Sequence, residues 1–232
     1  MGAVAENFRT VLEKVEAAAK RAGREPGSVR LVTVSKTVPV ERIREAVEAG
    51  ARILGENRVQ EALTKMETVD FSGLPAPEWH LIGTLQKNKA RHAVGVFSLI
   101  HSIDSIELAK DVDRQAEKRG IRQKVLVEVN IAGEATKHGM RPEDALAAAK
   151  EISLIPGIEL QGLMCVPPFT DDPEDSRPHF VRLRELLADI NRAGIPASEL
   201  SMGMSHDYEV AIEEGATLVR VGTAIFGERN KI

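Results

Sequence analysis

The feature that most constrains this chain is a phrase it repeats: an apolar helical stripe, a glycine, then a short run of aliphatic residues. Gly50 precedes Arg52-Ile53-Leu54, and Arg119-Gly120 precedes Val125-Leu126-Val127-Glu128-Val129. Ala193-Gly194 precedes Glu199-Leu200-Ser201, and Glu214-Gly215 precedes Thr217-Leu218-Val219-Arg220-Val221. Glycine readily takes the left-handed conformation that ends a helix, and a strand that follows so closely marks a parallel βα unit. Strands are expected at Leu31 to Val34, Arg52 to Leu54, His80 to Ile82, Val96 to Ile100, Val125 to Val129, Glu159 to Leu163, Leu200 to Met202 and Thr217 to Val221. Helical stripes lie between most of them, such as Ile106, Ala109, Val112 and Ala116, or Phe180, Leu183, Leu187 and Ile190. Phe8, Val11, Leu12 and Val15 form one more helix ahead of the first strand, with Gly23 as its stop. Eight alternating units in 232 residues predict an α/β fold, a single (β/α)8 TIM-type barrel with an extra N-terminal helix; an open doubly wound sheet is the runner-up. No linker divides the chain, so one domain is expected over residues 1–232.

Composition narrows the partners. Hydrophobic residues at 43% and charged residues at 28% are a globular balance, and a net charge of −4 gives no electrostatic reason to expect nucleic acid or an anionic membrane. No run reaches the ~18 apolar residues of a membrane span, and Glu6 and Arg9 within the first helix do not read as a signal peptide. The single cysteine, Cys165, has no internal disulfide partner and reads as a small buried residue. A cytoplasmic protein is expected. The six histidines are scattered, without a metal-ligand spacing such as HExxH, so metal catalysis is not indicated.

In a barrel, chemistry collects at the C-terminal ends of the strands. The first strand, Val29-Arg30-Leu31-Val32-Thr33-Val34-Ser35-Lys36, ends on a lysine that shares parity with Val32 and Val34. Two readings fit Lys36: a strand-end amine that snorkels to water, or a partly desolvated amine able to attack a carbonyl. The second strand runs into Gly55-Glu56-Asn57, where Asn57 either caps the helix Arg58 to Met66 or faces a site. Gly222, Thr223 and the following Ala224 to Gly227 read as a tight turn opening a short helix, where unpaired backbone N–H groups could bind a phosphate, with Ser205 and Ser201 adding hydroxyls. The plain alternative is an N-cap threonine beside a turn glycine. Arg220 interrupts an apolar strand and needs an acceptor: a ligand, or an internal salt bridge to Glu128 or Glu56. The stretch from Cys165 to Pro173 would overhang the C-terminal mouth as a lid or a plain connection, and Lys137 is either a second amine near the rim or a solvated loop lysine.

Together these residues match a known family. Val34-Ser35-Lys36, Gly55-Glu56-Asn57-Arg58-Val59-Gln60-Glu61, Trp79-His80-Leu81-Ile82-Gly83-Thr84-Leu85-Gln86-Lys87-Asn88-Lys89, Ser201-Met202-Gly203-Met204-Ser205 and Val219-Arg220-Val221-Gly222-Thr223-Ala224-Ile225-Phe226-Gly227 closely resemble the pyridoxal phosphate homeostasis proteins, which are related to the barrel domain of alanine racemase. The resemblance runs from about Leu31 to Arg229. It implies pyridoxal 5′-phosphate held as a Schiff base on Lys36, with Asn57 beside the ring, Ser205, Gly222 and Thr223 at the phosphate, and Arg220 facing the pyridine nitrogen. His80 and Gln86 to Lys89 match as well, without an assigned contact; helix capping and surface charge would explain them equally.

A permanent cation against that nitrogen disfavours its protonation and weakens the ring as an electron sink, which argues against transamination and most decarboxylation. In alanine racemase the resemblance implies a second base, a tyrosine from a separate β-rich domain. No such domain is expected here, and the single tyrosine, Tyr208, reads as a packing residue. The expected function is therefore a non-enzymatic binder that holds and releases the cofactor, possible recipients being apo-enzymes that need it, and the expected state is a monomer. The alternative is a weak racemase-like enzyme on small amino acids. A Schiff-base aldolase acting on a phosphosugar would explain Lys36 and the phosphate turn but not the long motifs.

Overall fold

The computed structural model describes residues 2–134 and 137–228, so the ends of the expected 1–232 domain, Arg229 among them, lie outside the described residues. Eight parallel strands close into a barrel in chain order: β1 (Arg30–Val34), β2 (Ile53–Glu56), β3 (Glu78–Leu81), β4 (Leu99–Ile103), β5 (Gln123–Glu128), β6 (Ile158–Met164), β7 (Glu199–Met204) and β8 (Leu218–Val221). Closure is made by β8 against β1, with Arg30 opposite Leu218 and Val32 opposite Arg220. The helices are α1 (Ala3–Arg21), α2 (Val40–Glu48), α3 (Val59–Thr68), α4 (Ala90–Ala93), α5 (Ile106–Arg119), α6 (Pro142–Ser153), α7 (Arg177–Arg192), α8 (Tyr208–Glu213) and α9 (Thr223–Phe226).

Alternate strand residues face inward. Val32, Ile53, Leu99, Leu126, Met164 and Leu218 form one apolar cluster inside the bore, with Ile82 packed against it. The opposite parity, including Leu31, Leu54, Leu81, Val127, Leu200 and Val219, joins the larger core between sheet and helices. Counting along either strand from these residues sends Lys36, Asn57, Ser201, Ser205, Arg220 and Gly222 toward the barrel axis.

Helix α1 packs against α2, α8 and α9. Among the described residues only the single turn of α9 follows β8, and α1 supplies the cover that a barrel normally takes from its eighth helix. It buries Val4, Phe8, Val11 and Val15 there, and Asn7 Nδ2 donates to the carbonyl of Ile225 at 3.1 Å.

The fourth strand departs from the sequence expectation. It runs over Leu99–Ile103, three residues beyond Val96 to Ile100, because Val96 and Phe97 pack in the outer core as a turn after α4. The short helix after Gly222 forms as α9, but neither capping alternative holds. The first turn of α3 has Arg58 at its N-cap with no side-chain cap, so Asn57 does not cap it. Gly222 stands at the N-cap of α9, which makes Thr223 the first helical residue.

Candidate functional site

The C-terminal mouth holds a cleft of about 650 Å³ lined from the ends of β1, β2, β3, β6, β7 and β8. Lys36, Asn57, Ser205, Arg220, Gly222 and Thr223 all border it. Val166, Pro168, Phe169 and Thr170 close one side, as the position of the Cys165 to Pro173 stretch implies. His206 ties that stretch down, with Nε2 3.1 Å from the Asp171 carbonyl and its ring 5.3 Å from that of Phe169.

Lys36 is partly buried, two residues past the end of β1 in a turn that the fold holds firmly. The next residue, Thr37, takes a φ of 61°, which for a β-branched side chain costs of order 1–3 kcal/mol. Its N–H donates to Glu61 Oε1 at 2.5 Å. Behind the turn lies a lysine that the sequence reading missed. Lys65, 6% exposed, donates to the carbonyl of Ser35 at 2.6 Å, to Glu56 Oε1 at 2.8 Å and to Glu61 Oε1 at 2.7 Å. Ser35 Oγ also donates to Glu56 Oε1, at 2.7 Å. Glu56 therefore belongs to the outer face with Leu54, and is no partner for Arg220. An i,i+9 pairing of Glu56 with Lys65 across a strand-to-helix joint has no sequence signature.

Asn57 is seated by a close approach of two loops. A Cβ on Gly83 would come within 2.4 Å of the Asn57 carbonyl oxygen, so glycine there lets the loop after β3 lie directly on the Asn57 backbone. On the other side, a Cβ on Gly222 would lie 3.2 Å from the Val34 carbonyl oxygen, which brings the turn after β8 against the end of β1. The N–H groups of Gly222 and Ala224 both point to Ser205 Oγ, at 3.3 and 3.4 Å. Two backbone donors and a hydroxyl thus converge at one corner of the cleft.

Arg220 is 4% exposed. One guanidinium nitrogen donates to Ser201 Oγ at 2.5 Å and another to the Cys165 carbonyl at 2.8 Å. Both acceptors are neutral, and among the described residues Arg220 makes no ion pair, so neither salt bridge weighed for it forms. Burial pulls its pKa below the ordinary 12.5, yet a guanidinium stays protonated at neutral pH. A cation enclosed with only neutral partners leaves part of its charge for whatever occupies the cleft.

Ser201 stands apart from the other site residues. It is fully buried behind Arg220, engaged with that guanidinium and with His101, and does not border the cleft, so the structure gives it a supporting place instead of a phosphate-facing one. Lys137 pairs with Glu134 at 2.6 Å in the loop after β5 and does not border the cleft either. Burial pushes the Cys165 thiol up to about 12, which leaves it inert. Tyr208 is buried in the outer core at the start of α8, and burial raises its phenol to about 12. No helix among the described residues is long and apolar enough to cross a membrane.

The model of the alanine racemase N-terminal domain family matches residues 3–230. A pyridoxal phosphate homeostasis protein of Aquifex aeolicus is 47% identical over 225 residues, which cover 97% of each chain. The solved structure of PipY from Synechococcus elongatus, with PLP bound, is 39% identical with a TM-score of 0.79, covering 92% of this chain and all of that one. An alanine racemase of Clostridium difficile shares the fold at 15% identity and a TM-score of 0.74; the match spans 97% of this chain and 57% of the racemase.

Proposed function

The chain belongs to the alanine racemase N-terminal domain family, among the pyridoxal phosphate homeostasis proteins, and from that membership we propose that it holds pyridoxal 5′-phosphate in the C-terminal cleft and takes part in intracellular vitamin B6 balance. One juxtaposition carries the reading. A partly buried primary amine, Lys36, and an enclosed cation with neutral partners, Arg220, border the same cleft, with convergent N–H groups at its corner.

The donor set fits the cofactor group by group. When bound, pyridoxal phosphate supplies an aldehyde carbon that takes up an amine reversibly with loss of water. Lys36 Nζ is the amine for that Schiff base. Ser205, Thr223 and the backbone N–H of Gly222 take the phosphate, at the mouth where barrels commonly bind one. Arg220 donates toward the ring nitrogen, and Asn57 lies against the ring. Ser201 acts one step removed, by holding Arg220.

The same donor limits the chemistry. Arg220 can only donate, so it favours an unprotonated ring nitrogen, and the ring is then a poor sink for carbanion electrons. Tyr208, raised to about 12 and packed away from the cleft, is no second base. We therefore read the protein as a monomeric cytoplasmic binder and carrier whose recipients are apo-enzymes, with no nucleic-acid or membrane partner. Weak racemase-like turnover of small amino acids is the second reading, favoured by the barrel's likeness to alanine racemase.

An absorbance spectrum of the purified protein, then borohydride reduction and peptide mapping, tests the cofactor and its anchor. A visible band and a reduced adduct on Lys36 are expected; no band after adding pyridoxal phosphate sinks the reading. Lys36→Ala should lose the band and still bind through the phosphate, more weakly, and complete loss of binding in the folded variant refutes that division. Substantial turnover of L- or D-alanine that disappears in Lys36→Ala would instead make it an enzyme.

A further inference from the structure

A line of polar side chains crosses the bore of the barrel and joins the C-terminal cleft to the opposite mouth. Beyond its bond from Arg220, Ser201 Oγ lies 2.9 Å from His101 Nδ1, and His101 Nε2 lies 3.0 Å from His80 Nδ1. His80 Nε2 then faces the Glu78 carboxylate at 3.6 Å, a contact longer than a hydrogen bond. These residues stem from β8, β7, β4 and β3, so the line spans the lumen. Arg220, Ser201, His101 and His80 are each at most 4% exposed. Glu78 and His80 border a second cleft, of about 530 Å³, at the N-terminal mouth.

Donor chemistry gives the line one direction. Arg220 has no acceptor, so Ser201 Oγ receives its N–H and keeps its own hydrogen to give to His101 Nδ1. His101 then carries its hydrogen on Nε2 and donates to His80 Nδ1. His80 in turn carries its hydrogen on Nε2, facing a carboxylate. The reverse arrangement would aim a lone pair of His80 at Glu78 and leave the Ser201 hydrogen without an acceptor in the line. Both rings stay neutral: burial, then Arg30, holds His80 down to about 3, and burial, then His80 and Arg220, keeps His101 well below 6.5.

We propose that His101 and His80 are positioning residues for the cofactor-facing guanidinium, fixing Arg220 through Ser201 and passing the influence of the N-terminal mouth to it by a one-way chain of tautomers. The proposal rests on the reading of the C-terminal cleft as a pyridoxal phosphate site, and deepens it: the electronic state of the ring is set by side chains that never touch it.

Side-chain 15N NMR of the unloaded protein tests the direction without the cofactor. Both histidines should be neutral at pH 7 with hydrogen on Nε2; His101 protonated on Nδ1, or doubly protonated, overturns the line. In loaded protein, His101→Phe removes the acceptor for Ser201 and should move the visible band and weaken pyridoxal phosphate about tenfold, while borohydride still labels Lys36. His101→Asn keeps an acceptor at the Nδ1 position and should restore both to within about threefold. A folded His101→Phe protein with unchanged band and affinity refutes the positioning role, which a merely structural histidine would also leave unmoved. Native protein that takes up no chromophore overturns the cofactor reading, and the positioning role with it, while the tautomers still decide the direction of the line.

Discussion

The turn that carries Lys36 is organised by a second lysine that does no chemistry. Lys65 is enclosed with Glu56, which is itself fully buried and has one carboxylate oxygen, Oε2, without a hydrogen-bond partner among the described residues. Removing the ammonium would leave that carboxylate uncompensated, a loss typically of about 3–5 kcal/mol, whereas removing both charges together is often close to neutral. Lys65→Met should therefore lower the urea midpoint sharply, and Lys65→Met with Glu56→Leu should recover most of it. Equal destabilisation in the single and double variants would show that packing, and not the buried pair, holds the turn. Cleft residues were legible where strands end: Lys36 and Arg220 border the cleft as counting along their strands implies, and Asn57 as the end of the second strand implies. Lys65 was not, because its partners sit on three separate segments, and Ser201 looked like a free hydroxyl because nothing in a sequence says that His101 reaches it across the bore.

Elements locate the corner proposed for the phosphate through a brace that comes from the other end of the chain. Helix α9 is one turn long and cannot hold its own orientation. The Ile225 carbonyl is held by Asn7 from α1, and the Phe226 carbonyl by Arg42 from α2 at 2.5 Å. Asn7→Ala should weaken binding of pyridoxal phosphate by roughly two- to fivefold, about the worth of one hydrogen bond, and leave pyridoxal, which lacks the phosphate, unaffected. Parallel titrations with the two ligands check this; equal weakening of both would place the effect on the whole cleft. The eight βα units were visible because their outward faces are continuous apolar runs. β4 was shifted by three residues for the complementary reason, since His101 and Ser102 interrupt its apolar run and Val96 and Phe97 mimic one. The N-terminal helix was foreseen, but its place as cover for the closing strands follows only from the shortness of α9 in three dimensions.

At the scale of the whole molecule, a closed barrel with polar side chains inside it must place some of its charge at the expense of stability. Glu128 points inward from β5 beside Leu126, is 9% exposed, and has one carboxylate oxygen with no hydrogen-bond partner among the described residues. Burial, then repulsion from Asp104, pushes it up to about 7 from an ordinary 4.5, against a weaker pull from Arg220. Between those two values the native state holds a proton that the unfolded chain has lost. Stability attributable to Glu128 is thus fully present below about 4.5, falls as pH rises toward 7, and is flat above. At about 1.4 kcal/mol for each unit of pKa, the loss by pH 8 is on the order of 3 kcal/mol. Glu128→Gln keeps the shape without the charge, so it should match the native protein near pH 4.5 and exceed it by that amount at pH 8, read from urea unfolding across the range. A stability difference that stays constant with pH would mean that Glu128 is ionised in the native barrel throughout, with Arg220 compensating it. The guanidinium would then be shared between that carboxylate and the cleft, and the variant should also bind an anionic ligand more tightly.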